Sequence, residues 1–182
     1  MSDRIYGRDV VTVAQALIGR VVRVGESAGL IVETEAYHET EPACHAWAGL
    51  TPRTRTLFGP PGRAYVYLSY GVHTMLNAVS EREGVGAAVL IRALEPLEGI
   101  ELMRERRGRE RLEELCSGPG KLTQALGIGL TDDGSDLRTG RVRISAHRRV
   151  LPIAASRRIR ITRAVELPWR FSVPASRYVS GR

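Results

Sequence analysis

A single mixed α+β domain is predicted by three features of the chain. Its 182 residues sit near the roughly 150 of one domain and well short of two. Apolar residues make up 43% and charged residues 26%, with 19 Gly and 9 Pro, the balance of a chain that buries a core rather than of a disordered or collagen-like one. Period-two apolar runs bounded by turn residues alternate with a few stretches of helical spacing, so sheet and helix both contribute. Residues 1–182 are therefore read as one domain, with a basic C-terminal portion at 137–182.

Asp9 precedes the apolar stretch 10–18 and Gly19 follows it, which reads as an N-cap, a short helix and a glycine stop. Residues 20–24, the turn Gly25-Glu26-Ser27 and residues 30–37 read as two strands and their connection. Strict alternation in the second strand puts Ile31, Glu33, Glu35 and Tyr37 on one face and Val32, Thr34 and Ala36 on the other. Two carboxylates then share a face with a tyrosine. Residues 38–62 have little periodicity and much turn chemistry, including Pro42, Pro52, Gly59 and Pro60; a loop of that length inside one domain suggests a functional role. Residues 64–70 and 72–79 flank Gly71 as a hairpin-like pair, with Tyr65 and Tyr67 on one face and Tyr70 at the turn, and 87–94 forms a further apolar strand. Between 96 and 115 the positions Leu97, Ile100, Leu102, Met103, Leu112 and Leu115 suggest an amphipathic helix interrupted at Gly108. The glycine-bounded segment Ser117–Lys121 leads into a short helix at 122–126. Beyond it the basic tail alternates as strands, 158–162 among them.

No apolar run approaches the roughly 20 residues of a membrane helix, and the start lacks the plan of a signal peptide; the protein reads as cytoplasmic (the nucleoid, in a bacterium) or nuclear, and not secreted. Cys44 and Cys116 are far apart with no CxxC pairing, so buried free thiols are expected. The net charge of +7 is unevenly distributed: residues 137–182 hold twelve Arg against Glu166, or +11, leaving −4 for the rest. A one-sided basic surface is an electrostatic footprint for nucleic acid, the alternative being a solvated charged face. Among the 27 basic residues only Lys121 is lysine.

Around the long loop gather Glu33, Glu35, Tyr37, His38, Cys44 and His45, then Tyr65, Tyr67 and Tyr70. Four of the six tyrosines fall between 37 and 70. Aromatic rings beside carboxylates on a basic protein suit a pocket that stacks a flat base and acts on it, whereas the plainer reading is a tyrosine-lined core with a charged rim. His38, Cys44 and His45 with a glutamate offer metal-binding atoms, but the spacing fits no HExxH or paired-cysteine pattern. The Ser117–Lys121 segment lacks P-loop spacing and is read as a contact for a backbone phosphate.

The segments Ile31-Val32-Glu33-Thr34-Glu35-Ala36-Tyr37, Thr51-Pro52-Arg53, Ala64-Tyr65-Val66-Tyr67-Leu68-Ser69-Tyr70-Gly71, Val89-Leu90-Ile91-Arg92-Ala93-Leu94-Glu95-Pro96 and Cys116-Ser117-Gly118-Pro119-Gly120-Lys121-Leu122 together resemble the alkyladenine (3-methyladenine) DNA glycosylase family, in family order from about residue 20 to 126. The final 46 residues match loosely, mainly at Arg170-Phe171-Ser172-Val173. The segment between Glu35 and His45 is one residue shorter than in vertebrate relatives, and Val72 stands where methionine is common.

The resemblance implies a curved antiparallel sheet with packed helices, no metal and no cofactor. It implies Glu35, not Glu33, as the water-activating base, a choice the spacing leaves open, and Arg92 as its partner in holding that water. Tyr37, His45 and Tyr67 would flank a flipped base, Asn77 would collide with the exocyclic amine of guanine, and Tyr70 would fill the vacated space. Lys121, Arg157, Arg158 and Arg160 are the expected DNA contacts. The function expected is hydrolysis of the N-glycosidic bond of alkylated or deaminated purines in double-stranded DNA by a monomer, without lyase activity because Lys121 is the only side-chain amine. The competing class is a non-catalytic nucleic-acid-binding module, with a metal hydrolase third.

Overall fold

The computed structural model describes residues 5–146 and 148–181. In chain order its elements are α1 (Val10–Leu17), β1 (Val21–Val24), β2 (Ser27–His38), β3 (Ala64–Ser69), β4 (His73–Val79), β5 (Ala87–Glu98), α2 (Ile100–Arg107), α3 (Leu112–Leu115), α4 (Pro119–Leu126), β6 (Val142–Ile144), β7 (Ala154–Ser156) and β8 (Arg170–Ser172). The strands form one curled antiparallel sheet in the order β3-β4-β5-β2-β1-β6. Its spine is the pair β2 and β5, each of twelve residues. β1 covers only the first part of β2, and β8, itself paired with β7, takes the remaining edge opposite Glu33, Thr34 and Glu35.

α1 begins where Asp9 accepts a hydrogen bond from the Thr12 amide at 2.9 Å, one of the helix-start donors that would otherwise lack a partner. Its Val13, Ala14 and Leu17 share one buried cluster with Met103 of α2, Leu115 of α3, Leu122 and Leu126 of α4, and the sheet residues Ile31, Ala36, Val89, Ile91 and Leu94. The helices therefore cover one face of the sheet. A second cluster, Cys44, Ala46, Leu57, Tyr65, Val79 and Ala88, seats the 38–62 loop elsewhere on the sheet. That loop contains two short 3₁₀ turns, His45–Ala48 and Arg55–Phe58. It lies so close to the start of β5 that a Cβ on Gly86 would come within 2.4 Å of the Ala46 side chain.

Four sequence expectations are corrected. Strict alternation fails in β2, because register shifts against β5 between Ile31 and Thr34 put an extra residue in the strand; Ile31 joins the helix-covered core while Val32 packs with Ala93 in a separate cluster. Thr34 then faces α1, donating its hydroxyl to the Ala14 carbonyl at 2.9 Å. The amphipathic stretch 96–115 is not one helix: Pro96 and Leu97 finish β5, and Gly99 (φ 67°) and Gly108 (φ 58°) bound α2 with left-handed backbone. α4 starts at Pro119 rather than 122, since a proline at the first helical position gives up only a donor that would be unpaired anyway. Residues 158–162 are not a strand; Arg160 has φ 58°, which breaks an extended run.

Candidate active site

The β2 bulge leaves Glu33 and Glu35 fully buried together with Arg92 of β5. Arg92 Nη1 donates to Glu35 Oε2 at 3.1 Å and Nε to Glu33 Oε1 at 3.2 Å. The two carboxylates differ in what else they hold. Glu33 also accepts from Arg170 Nε of β8 at 2.6 Å, from the Ser180 hydroxyl at 2.9 Å and from the Ser180 amide at 2.6 Å. Glu35 accepts from the Tyr37 hydroxyl at 2.7 Å and the Ile159 amide at 2.9 Å. A carboxylate has about four lone-pair positions, two on each oxygen; three of the four donors on Glu33 crowd Oε1 and only the Ser180 amide meets Oε2, while on Glu35 Oε2 holds Tyr37 and Arg92 and Oε1 the Ile159 amide alone. Charges buried this deeply persist because each is paired and hydrogen-bonded.

Beside Glu35 opens a cavity of about 710 Å³, a volume typical of small-molecule sites. Tyr37, Arg92 and Ile159, the three donors to Glu35, line its wall, and the carboxylates sit one layer behind. Also in the wall, His45 and Tyr67 have ring centroids 4.5 Å apart and Tyr65 and Tyr67 5.3 Å apart, while His45 Nδ1 lies 3.2 Å from the Tyr65 hydroxyl. Burial, then the charge of Arg53, holds the His45 pKa below its ordinary value, so the ring is neutral at neutral pH. Burial, reinforced by the negative charge of Glu35, raises the Tyr37 hydroxyl; it stays protonated and donates. Cys44, also in the wall, is a thiol pushed up to about 12 by burial, which leaves it unreactive.

Asn77 of β4 is buried in the same wall, its side-chain amide donating to the Tyr65 carbonyl at 3.1 Å. Tyr70 stands at the β3–β4 turn with 94% of its surface exposed, on a backbone of φ 52° beside Gly71 at φ 69°. Lys121, in the first turn of α4, is exposed at the cavity rim with Nζ 3.4 Å from the Ser117 hydroxyl. Arg160 is exposed at the cavity wall and Arg157 is exposed nearby in the chain.

Arg158 is not available to DNA phosphates. Its side chain is 0% exposed and forks onto Glu41, because the bend at 158–160 turns it inward instead of along a strand edge. His38, Cys44 and His45 also do not converge: His38 pairs with Glu81 at 3.5 Å, Cys44 approaches the Gly86 carbonyl and His45 meets Tyr65. The described residues contain no group of three or more His, Cys, Asp or Glu arranged to hold a metal ion, and no helix among them is long and apolar enough to cross a membrane. Sequence reasoning missed Arg170, Ser180 and the Ile159 amide. Arg170 had a signal in its Arg-Phe-Ser-Val segment; a lone serine and a backbone N–H have none.

The chain is similar to known proteins over most of its length. A protein of Bradyrhizobium diazoefficiens is 53% identical over 175 residues, covering 96% of this chain and 88% of its own. One of Agrobacterium fabrum is 50% identical over 175 residues (96% and 89%), and one of Rubrobacter xylanophilus is 54% identical over 172 residues (87% and 86%). All three bear names that assign them provisionally to the 3-methyladenine DNA glycosylases. Residues 4–177 match the methylpurine-DNA glycosylase family, and on that match, with relatives so similar over nearly the whole chain, the protein belongs to that family.

Proposed function

We propose that the protein excises alkylated and deaminated purines, such as 3-methyladenine, 7-methylguanine and hypoxanthine, from duplex DNA by flipping the base and hydrolysing its N-glycosidic bond, without metal, cofactor or lyase activity. The observation that carries this reading is Glu35: a buried carboxylate whose three donors, Tyr37, Arg92 and Ile159, all line a cavity walled by aromatic rings. Extruding a base costs a few kcal/mol, least for weakly paired damaged bases. Stacking on Tyr37 from one side and on His45 with Tyr67 from the other returns roughly 1 to 3 kcal/mol per contact. Tyr70 fills the gap left in the duplex, and Asn77 excludes the N2 amine of normal guanine.

In the chemical step Glu35, aimed by Arg92, takes a proton from water while the water oxygen bonds to the sugar C1′. The C1′–N bond breaks, its electron pair leaves with the base, and an abasic sugar bearing a hydroxyl remains. A cationic alkylated purine departs readily; neutral hypoxanthine needs protonation or a hydrogen bond to do so. The test is a duplex with one hypoxanthine, incubated in EDTA and then treated with alkali. Base release with strand cleavage only after alkali supports the reading, and binding without release points to a non-catalytic module. Loss of release on chelation points to a metal hydrolase. Borohydride should trap no protein–DNA adduct; an adduct lost in Lys121→Arg would replace the water mechanism with amine attack.

A further inference from the structure

Arg158 and Glu41 form a buried ion pair placed against the parts that aim Glu35. Nη1 and Nη2 of Arg158 reach the two carboxylate oxygens of Glu41 at 2.7 and 3.0 Å. Nη1 also donates to the Ala36 carbonyl at 3.0 Å and Nη2 to the Ala164 carbonyl at 3.2 Å, while Glu41 accepts from the Ala43 amide at 2.8 Å. The guanidinium lies 4.7 Å from the centroid of the Tyr37 ring and 5.5 Å from that of Trp169. Its Nε–H is buried with no hydrogen-bond partner among the described residues, a cost a purely stabilising contact would be expected to avoid.

We infer that the Glu41–Arg158 pair is a positioning device for Glu35, acting through the Tyr37 ring it backs and the Ile159 amide it anchors. This rests on the proposed function and adds residues to it. Two of the three donors on Glu35 depend on Arg158: the Tyr37 hydroxyl, whose ring the guanidinium backs, and the amide of the next residue, Ile159. The pair also ties the end of β2, the loop at 41–43 and the segment 158–164 into one unit. For stability alone a packed apolar pair of similar volume serves as well or better, so what the ion pair adds is geometry. The planar fork fixes the guanidinium against the ring, which a lysine ammonium does not do.

The test measures single-turnover excision of hypoxanthine and the Kd for the same duplex, together with the melting temperature. Glu41→Leu combined with Arg158→Met removes both charges without leaving either one buried alone. It should melt close to wild type and bind within about threefold, yet excise about 100-fold more slowly, the loss expected when a reacting group is misplaced by about 1 Å. Arg158→Lys should fall between, losing roughly tenfold in rate. A folded paired variant that excises at the wild-type rate overturns the inference, as does one in which rate and affinity fall by the same factor. If the paired variant does not fold, Arg158→Lys decides: wild-type rate in that variant overturns the positioning role. Failure of the wild-type protein to release any damaged base would sink the glycosylase reading, and with it this role; normal release by wild type and variants alike would sink this role only.

Discussion

Glu33 and Glu35 are equally buried and share Arg92, so their difference lies in which donors each holds: all three on Glu35 line the cavity, whereas Arg170 on Glu33 does not. If Glu35 is the proposed base, Glu35→Gln should retain damaged-DNA binding while losing excision by about 10² to 10⁴-fold. Glu33→Gln leaves Arg170 and part of Arg92 without a countercharge, so its loss should appear mainly as lowered stability, a few kcal/mol for a broken buried pair, with far less effect on the rate per folded molecule. Equal losses of single-turnover rate in the two variants would mean that the assignment is wrong. Spacing placed both glutamates, Tyr37 and His45 in one neighbourhood but left the choice between the carboxylates open; the family resemblance chose Glu35, and the excision rates of the two variants decide between them. Asn77→Ala should release unmodified guanine from duplex DNA, and no gain over wild type would count against steric exclusion. His45 adds a pH dependence. Its pKa is held below 6.5 in the folded state by burial and then by Arg53, so the unfolded chain binds the proton first. The stability it contributes is full above about 6.5 and falls as pH drops through that value toward the folded one; His45→Gln should flatten that part of the urea-midpoint profile.

At the scale of elements, the bulge in β2 and the turn between β3 and β4 do the positioning. The sequence pattern located both segments, yet it could not register the bulge, because an inserted residue shows only when the partner strand β5 is known. The Arg158–Thr162 segment misled for a related reason: alternating Arg and Ile is the pattern of an edge strand, but the left-handed backbone of Arg160 and the burial of Arg158 against Glu41 override it. The hairpin turn carries a measurable strain. Tyr70 at φ 52° is a bulky residue in a region that costs non-glycine residues roughly 1 to 2 kcal/mol, and it holds the ring almost wholly in solvent. Tyr70→Gly should therefore fold as stably as wild type or slightly more so, while binding damaged duplex more weakly and excising poorly accessible bases more slowly. Unchanged affinity and rate on every duplex would remove the gap-filling role.

Across the whole molecule the +11 of residues 137–182 overstates the positive charge left without a countercharge. Among the described residues, five arginines of this segment pair with acids outside it: Arg138 with Asp136, Arg141 with Asp132, Arg158 with Glu41, Arg170 with Glu33 and Arg177 with Glu113. Two of these pairs, Arg158 with Glu41 and Arg170 with Glu33, are largely buried and tie the C-terminal third to β2 and the loop after it, a role that net charge cannot distinguish from DNA contact until the acids are located. Arg143, Arg149, Arg157, Arg160 and Arg163 are exposed as well, and Arg160 and Lys121 line the cavity into which the flipped nucleotide is proposed to enter. Affinity for duplex should accordingly fall linearly in log salt. Each phosphate neutralised contributes about 0.9 to the slope, so Arg157→Gln with Arg160→Gln should flatten it by roughly 1.8 if both touch phosphates. Titrations of an undamaged duplex between low and physiological salt measure this free of any contribution from the lesion pocket. A slope unchanged in the double variant, with the cavity and its excision rate intact, would place the DNA-facing surface elsewhere than the 157–160 bend.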